Sequence, residues 1–163
     1  MAKPTTYATP ICIVLSILVV IGIVLGFVEK SPLIISLFLL PAVGYEAYRT
    51  EGISTRAASW ALVVLILAEI ICLVFKLNFD LANWLGAGEA FFFGYFMPLG
   101  NITIVFPVVM IILSLILFFR TIGVYTKWLA VLILISAIVI VYVINPEILK
   151  SLLHMSTYGG FYY

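Results

Sequence analysis

Five long apolar runs, each bounded by basic or turn-forming residues, constrain this chain more than any other feature. They cover 11–28, 33–48, 57–75, 102–119 and 128–144. A helix rises about 1.5 Å per residue, so about 20 apolar residues cross the hydrocarbon of a bilayer. Helices also satisfy their own backbone hydrogen bonds where water is absent. The expected fold is therefore all-α: a polytopic integral membrane helix bundle of five transmembrane helices, forming a single membrane domain over 1–163.

Composition removes the competing classes. Of 163 residues, 66% are hydrophobic and 9% charged, whereas a soluble domain is about half apolar and about a quarter charged. An ordinary water-soluble globule and a disordered tail are excluded. So is nucleic-acid binding, because a net charge of +1 supplies no basic field.

Metal and cofactor chemistry is poorly provided for. Cys12 and Cys72 both lie inside apolar runs, and His154 is the single histidine. A zinc site needs three or four clustered ligands, and haem needs axial ones. No cofactor, no metal and no catalytic residue is expected, and the chain reads as a non-enzyme. The absence of Gln and the scarcity of Asn match one trait of thermophile proteins.

The runs carry local signals. Gly26-Phe-Val-Glu-Lys30 offers no small-x-small cleavage site, so the first run is expected to be retained. Gly22 and Gly26 give it a GxxxG face for close helix approach. Ser31-Pro32 opens the second run as N-cap and N1, and Asn145-Pro146 stops the fifth. Between the third and fourth runs, 78–100 mixes glycines and Asp80, Asn83 and Glu89 with Trp84, Phe91, Phe92, Phe93, Tyr95 and Phe96. Aromatics of this density suit the headgroup level, so an interfacial or re-entrant segment is expected there. Trp84, Phe91, Phe92, Phe93 and Tyr95 are its candidate lipid or partner contacts. Five spans put Lys3, Arg49, Arg56, Arg120 and Lys127 on one side and Lys30, Lys76 and Lys150 on the other. That bias places the N-terminus inside and the C-terminus outside. The expected location is the cytoplasmic membrane of a prokaryote.

Two loops resemble one another. The first reads Arg49-Thr-Glu-Gly52-Ile-Ser-Thr55-Arg56 and the second Arg120-Thr-Ile-Gly123-Val-Tyr-Thr126-Lys127, each followed by Trp and a Val/Leu/Ile-rich helix. Arg at a helix C-terminus meets the negative end of the dipole, Gly is expected in the left-handed conformation near C′, and the second Thr is expected to cap the next helix. Hairpins 31–77 and 102–146 then form parallel repeats about an axis along the membrane normal, with Arg49, Gly52, Arg56, Arg120, Gly123 and Lys127 in cytoplasmic turns. Convergence of two cytoplasmic hairpins on the same chemistry accounts for the match equally well.

Glu69 is the ionisable residue near the middle of a run, and such residues are rare and usually functional. It is either a proton or cation site or a neutral acid pinning the third helix to the second. Pro41 frees the carbonyl of Leu37, and Glu69 could donate to that oxygen or to Ser36. The function expected from these features is that of a non-catalytic accessory subunit of a larger membrane complex, packing against partner helices and lipid. The alternative is a small homo-oligomeric transporter or channel that uses Glu69.

Overall fold

The computed structural model describes residues 7–77 and 102–146, together with the backbone pairing of 91–92 and 95–96. Five helices follow the apolar runs: α1 Ala8–Val28, α2 Pro32–Arg49, α3 Ile53–Val74, α4 Ile102–Arg120 and α5 Val124–Ile144. Phe91–Phe92 (β1) pairs antiparallel with Tyr95–Phe96 (β2), Phe91 opposite Phe96. The rest of the expected interfacial segment, including Trp84 and Phe93, lies outside the described residues.

Four of the helices, α1, α3, α4 and α5, are long and apolar enough to cross a membrane. The second is not among them, contrary to the five-span expectation. It is the shortest, at 18 residues, and its second half carries Pro41, Gly44, Tyr45, Glu46, Tyr48 and Arg49, which dilute its hydropathy. Yet α2 is enclosed by neighbours, packing on α1, α3 and α5.

Helices α2, α3, α4 and α5 form a ring in which each packs on the next and α5 closes back on α2, while the diagonal pairs make no substantial contact. Short turns make α2–α3 and α4–α5 antiparallel, and both turns line one cavity at the same end, so this is an up-down-up-down four-helix bundle. α1 lies outside the ring against α2 and α5. The core runs through Leu39, Val43, Leu62, Ile66, Met110, Leu117, Ile133 and Ile140, all fully buried. The perimeter is apolar too, with Ile17, Val24, Val64, Ile112 and Ile135 exposed.

Close packing fixes α1. Gly22 lies against Phe38 and Gly26 against Ile35, so the GxxxG face admits α2 at short range. Along the other side, the Trp128 indole donates to Ser16 Oγ at 2.9 Å, Thr9 and Tyr125 share a 2.7 Å hydroxyl contact, and Phe27 stacks on Tyr142 at 5.9 Å.

The buried positions of the two hairpins keep a common register. Arg120 follows Arg49 by 71 residues, as Gly123 follows Gly52 and Thr126 follows Thr55. At the same offset, buried Ser36, Leu39, Val43 and Glu46 correspond to buried Pro107, Met110, Ser114 and Leu117. Buried Ser59, Leu62, Ile66 and Glu69 correspond to buried Ala130, Ile133, Ala137 and Ile140. Ala58, Ala61 and Ala68 are only half-buried, so the inward stripe of α3 is centred on Leu62 and Ile66 rather than on its alanines.

The turns are built differently from expectation. Gly52 and Gly123, not the following threonines, are the N-caps. Thr55 and Thr126 lie three residues into their helices and bond backwards, Thr126 to the Gly123 carbonyl at 2.8 Å and Thr55 to the Glu51 carbonyl at 2.7 Å, with the Gly52 carbonyl further off at 3.2 Å. Gly52 has φ +108°, a conformation that favours glycine, whereas Gly123 has φ −71° and does not need it. Ser31 is the N-cap of α2, but its side chain makes no capping bond.

These contacts separate the glycines. A methyl at Gly26 must displace the buried Ile35, and overpacking of this kind costs about 1–3 kcal/mol. Nothing lies within 4 Å of a methyl placed on Gly44, where Ala should gain about 0.5–1 kcal/mol by its helix preference. Thermal melts in detergent are expected to show G26A lowering Tm and G44A holding or raising it.

Candidate functional site

The buried acids of the described core lie on one helix pair, each with a buried serine beside it. α2 contributes Ser36 and Glu46, and α3 contributes Ser59 and Glu69; all four have 0% exposure. The pair is reciprocal. Ser36 of α2 faces Glu69 of α3, and Ser59 of α3 faces Glu46 of α2. In each helix the Glu follows the Ser by ten residues, which separates the two Ser–Glu contacts by about 15 Å along the axis. Running the helices antiparallel converts that repeated spacing into a local two-fold arrangement.

Both serines direct their protons elsewhere. Ser36 Oγ donates to the Pro32 carbonyl at 3.1 Å and Ser59 Oγ to the Thr55 carbonyl at 3.0 Å. Accordingly no donor reaches either oxygen of Glu69 or the Oε2 of Glu46. Glu46 Oε1 does have a partner, Thr50 Oγ1, at 2.6 Å. Among the described residues no ion pair forms, and no three His, Cys, Asp or Glu side chains converge as metal ligands do.

The equivalent positions in the second hairpin are apolar. Where the first has Ser36, Glu46, Ser59 and Glu69, the second has Pro107, Leu117, Ala130 and Ile140. The acid pairs are therefore confined to one side of the ring. Cys12 and Cys72 are buried and free.

The two Arg–Thr turns lie at the same end of the bundle. They line one open cavity of about 540 Å³, to which Arg49, Gly52 and Thr55 contribute from the first turn and Arg120, Gly123 and Thr126 from the second. Arg49 donates to the Tyr45 hydroxyl at 3.4 Å, and its guanidinium sits 4.9 Å from the Tyr125 ring centre. Arg56 is exposed, and Lys127 lies 5.9 Å from the centre of the Phe118 ring. A second cleft of about 690 Å³ reaches Thr50, the partner of Glu46.

Of the residues singled out from sequence, Glu69 and Ser36 thus face each other and the basic turn residues gather at one end. Phe91, Phe92 and Tyr95 are placed only by their backbone pairing, and His154, Asp80 and Glu89 lie outside the described residues. Glu46 is the residue that a reading of hydropathy misses, because it sits near the polar end of its run. The Ser-to-Glu spacing shared by α2 and α3 was the available signal. Comparison with family models, curated proteins and solved structures finds no match.

An acid that lacks a donor gives the helix pair little to hold on to. If Glu69 only pinned α3 to α2, Leu at that position should cost about 1–3 kcal/mol. Instead, E69L is expected to match or exceed the wild-type Tm, since apolar replacement of an unsatisfied buried polar group is neutral or stabilising. Thermal unfolding in detergent reads the difference directly.

Proposed function

We propose that this chain is an integral membrane bundle that carries protons or cations through its core, with Glu69 as an ionisable site. The observation that carries this reading is a fully buried carboxyl whose two oxygens no donor satisfies. Intramembrane acids of this sort are costly to keep and mark ion or proton pathways. The neutral acid is the form that an apolar core tolerates best, so a change of charge there is coupled to movement of an ion.

In this reading α2 crosses the membrane as a fifth span. Supporting it are the enclosure of α2 by three neighbours and its tight approach to α1 at Gly22 and Gly26; helices packed this closely share the same slab. Five spans place the Arg–Thr turns on the side richer in Lys and Arg, with the N-terminus inside and the C-terminus outside. The two hairpins act as parallel repeats, a reading supported by their common cavity and by the buried register they share. Such repeats surround substrate paths in several transporter classes.

A second reading, an accessory subunit of a larger membrane complex, is favoured by a different observation. Ile53 and Ile122, at the tips of the two turns, are each 95% exposed, and apolar tips of this kind suit contact with a neighbouring subunit or the lipid headgroup region. Co-purification of partners in fixed stoichiometry, lost with I53S/I122S, supports that reading.

For the transport reading, the protein is reconstituted into liposomes containing a pH-sensitive dye, and a valinomycin-clamped potassium gradient drives flux. Wild type is expected to move protons or to exchange cations for them. E69Q, which keeps the shape of the side chain but cannot ionise, is expected to remove that flux while retaining the fold. Equal flux in wild type and E69Q contradicts the reading.

A further inference from the structure

The α2–α3 contact holds a carboxyl beyond the one just used. Thr50 Oγ1 lies 2.6 Å from Glu46 Oε1 and 2.9 Å from the main-chain carbonyl oxygen of Glu46. A threonine hydroxyl has one proton, so it cannot fully donate to two acceptors at such distances. With a proton on Glu46 Oε1 both contacts are satisfied: Glu46 donates to Thr50, and Thr50 donates to the carbonyl. We propose that Glu46, with Thr50, forms a second proton-exchange site, opening to the cleft at the Arg–Thr end and separate from Glu69. The proposal extends the reading of Glu69 as an ionisable site.

The route is short. Thr50 is 4% exposed and lines the cleft of about 690 Å³ together with Tyr48, Glu51 and Arg56. Glu46 passes its proton to Thr50 Oγ1 while the threonine hydroxyl turns from the Glu46 carbonyl and gives its own proton to water in the cleft, and the reverse transfer reloads the acid. One proton enters and one leaves. Glu51, exposed in the same cleft, is an acceptor at its rim.

The surrounding charges leave the acid to protons. From α2, Arg49 is turned to Tyr45 and the Tyr125 ring rather than to Glu46. From α3, Arg56 is exposed and lines the cleft. α5 brings Tyr125 and Lys127, the latter at the Phe118 ring, and α1 brings Cys12 to this end. A metal cation needs several oxygen ligands in close array, and among the described residues the carboxyl is met only by the hydroxyls of Thr50 and Ser59.

Glu46 is also sealed from Glu69. Leu39, Val43, Leu62 and Ile66 fill the bundle between the two heights, each with 0% exposure. Across about 15 Å of such packing, sites behave independently. The two acids are therefore served separately, with Glu46 reached from the turn end.

Infrared difference spectroscopy of the full chain in lipid nanodiscs tests this, because a protonated carboxyl has a C=O stretch distinct from that of a carboxylate and shifts it when deuterium replaces the proton. One such band is expected to vanish in E46Q and to shift soon after transfer to D2O. T50V is expected to slow that shift about 10²-fold, the scale contributed by one positioned proton-transfer group, and E69Q to leave its rate unchanged. A spectrum in which E46Q removes no protonated-carboxyl band, as a cation-bound carboxylate would give, overturns the proposal. So does T50V exchanging as fast as wild type, or E69Q altering the rate. If E46Q does not fold, T50V with carbon-13-labelled glutamate supplies the same assignment. Failure of the Glu69 reading instead appears as proton flux surviving in E69Q, with the infrared result intact.

Discussion

Two carboxyls with no base to neutralise them sit inside an apolar bundle, and much of the architecture follows from how that is tolerated. An isolated buried charge is far too costly to persist, whereas a neutral acid costs no more than an ordinary polar group. Neutral acids in turn need acceptors. Ser36 and Ser59, each bonded to a main-chain carbonyl one turn back, lie at the two heights where the acids sit. The helix pair is thus polar in two small patches and apolar between them.

Only one pair in the ring of four helices carries those patches. The hairpins α2–α3 and α4–α5 bury corresponding positions, so either could have housed the acids, but the second fills the same places with Pro107, Leu117, Ala130 and Ile140. One hairpin then supplies a well-packed wall and the other an ionisable one. In the proposed reading such a division lets the bundle stay folded while a proton comes and goes, since the packing on one side does not depend on the charge state of the other.

Hydropathy made the helices legible. Each apolar run became one helix, extended by a few residues where turn residues such as Ile53-Ser54-Thr55 continued the coil. The status of α2 was less legible, because Pro41 and Glu46 weaken its apolar signal while tertiary enclosure by three helices hides their cost. The turn chemistry was half legible: Arg49 and Arg120 do end their helices, but capping falls to glycines because Thr55 and Thr126 bond backwards to carbonyls. Glu69 stood out in sequence by its depth. Glu46 did not, since its burial comes from the antiparallel α3, and no single-helix pattern encodes a neighbour.

Chemical labelling examines the central claim, that the core acids are protonated and shielded from water, most directly. A lipid-soluble carbodiimide adds to protonated carboxyls in apolar surroundings, and mass spectrometry locates the adduct. Adducts on Glu69 and Glu46, lost in E69Q and E46Q respectively, with neither site labelled by a membrane-impermeant carbodiimide, are the predicted result. Equal labelling of both sites by the impermeant reagent would contradict the account.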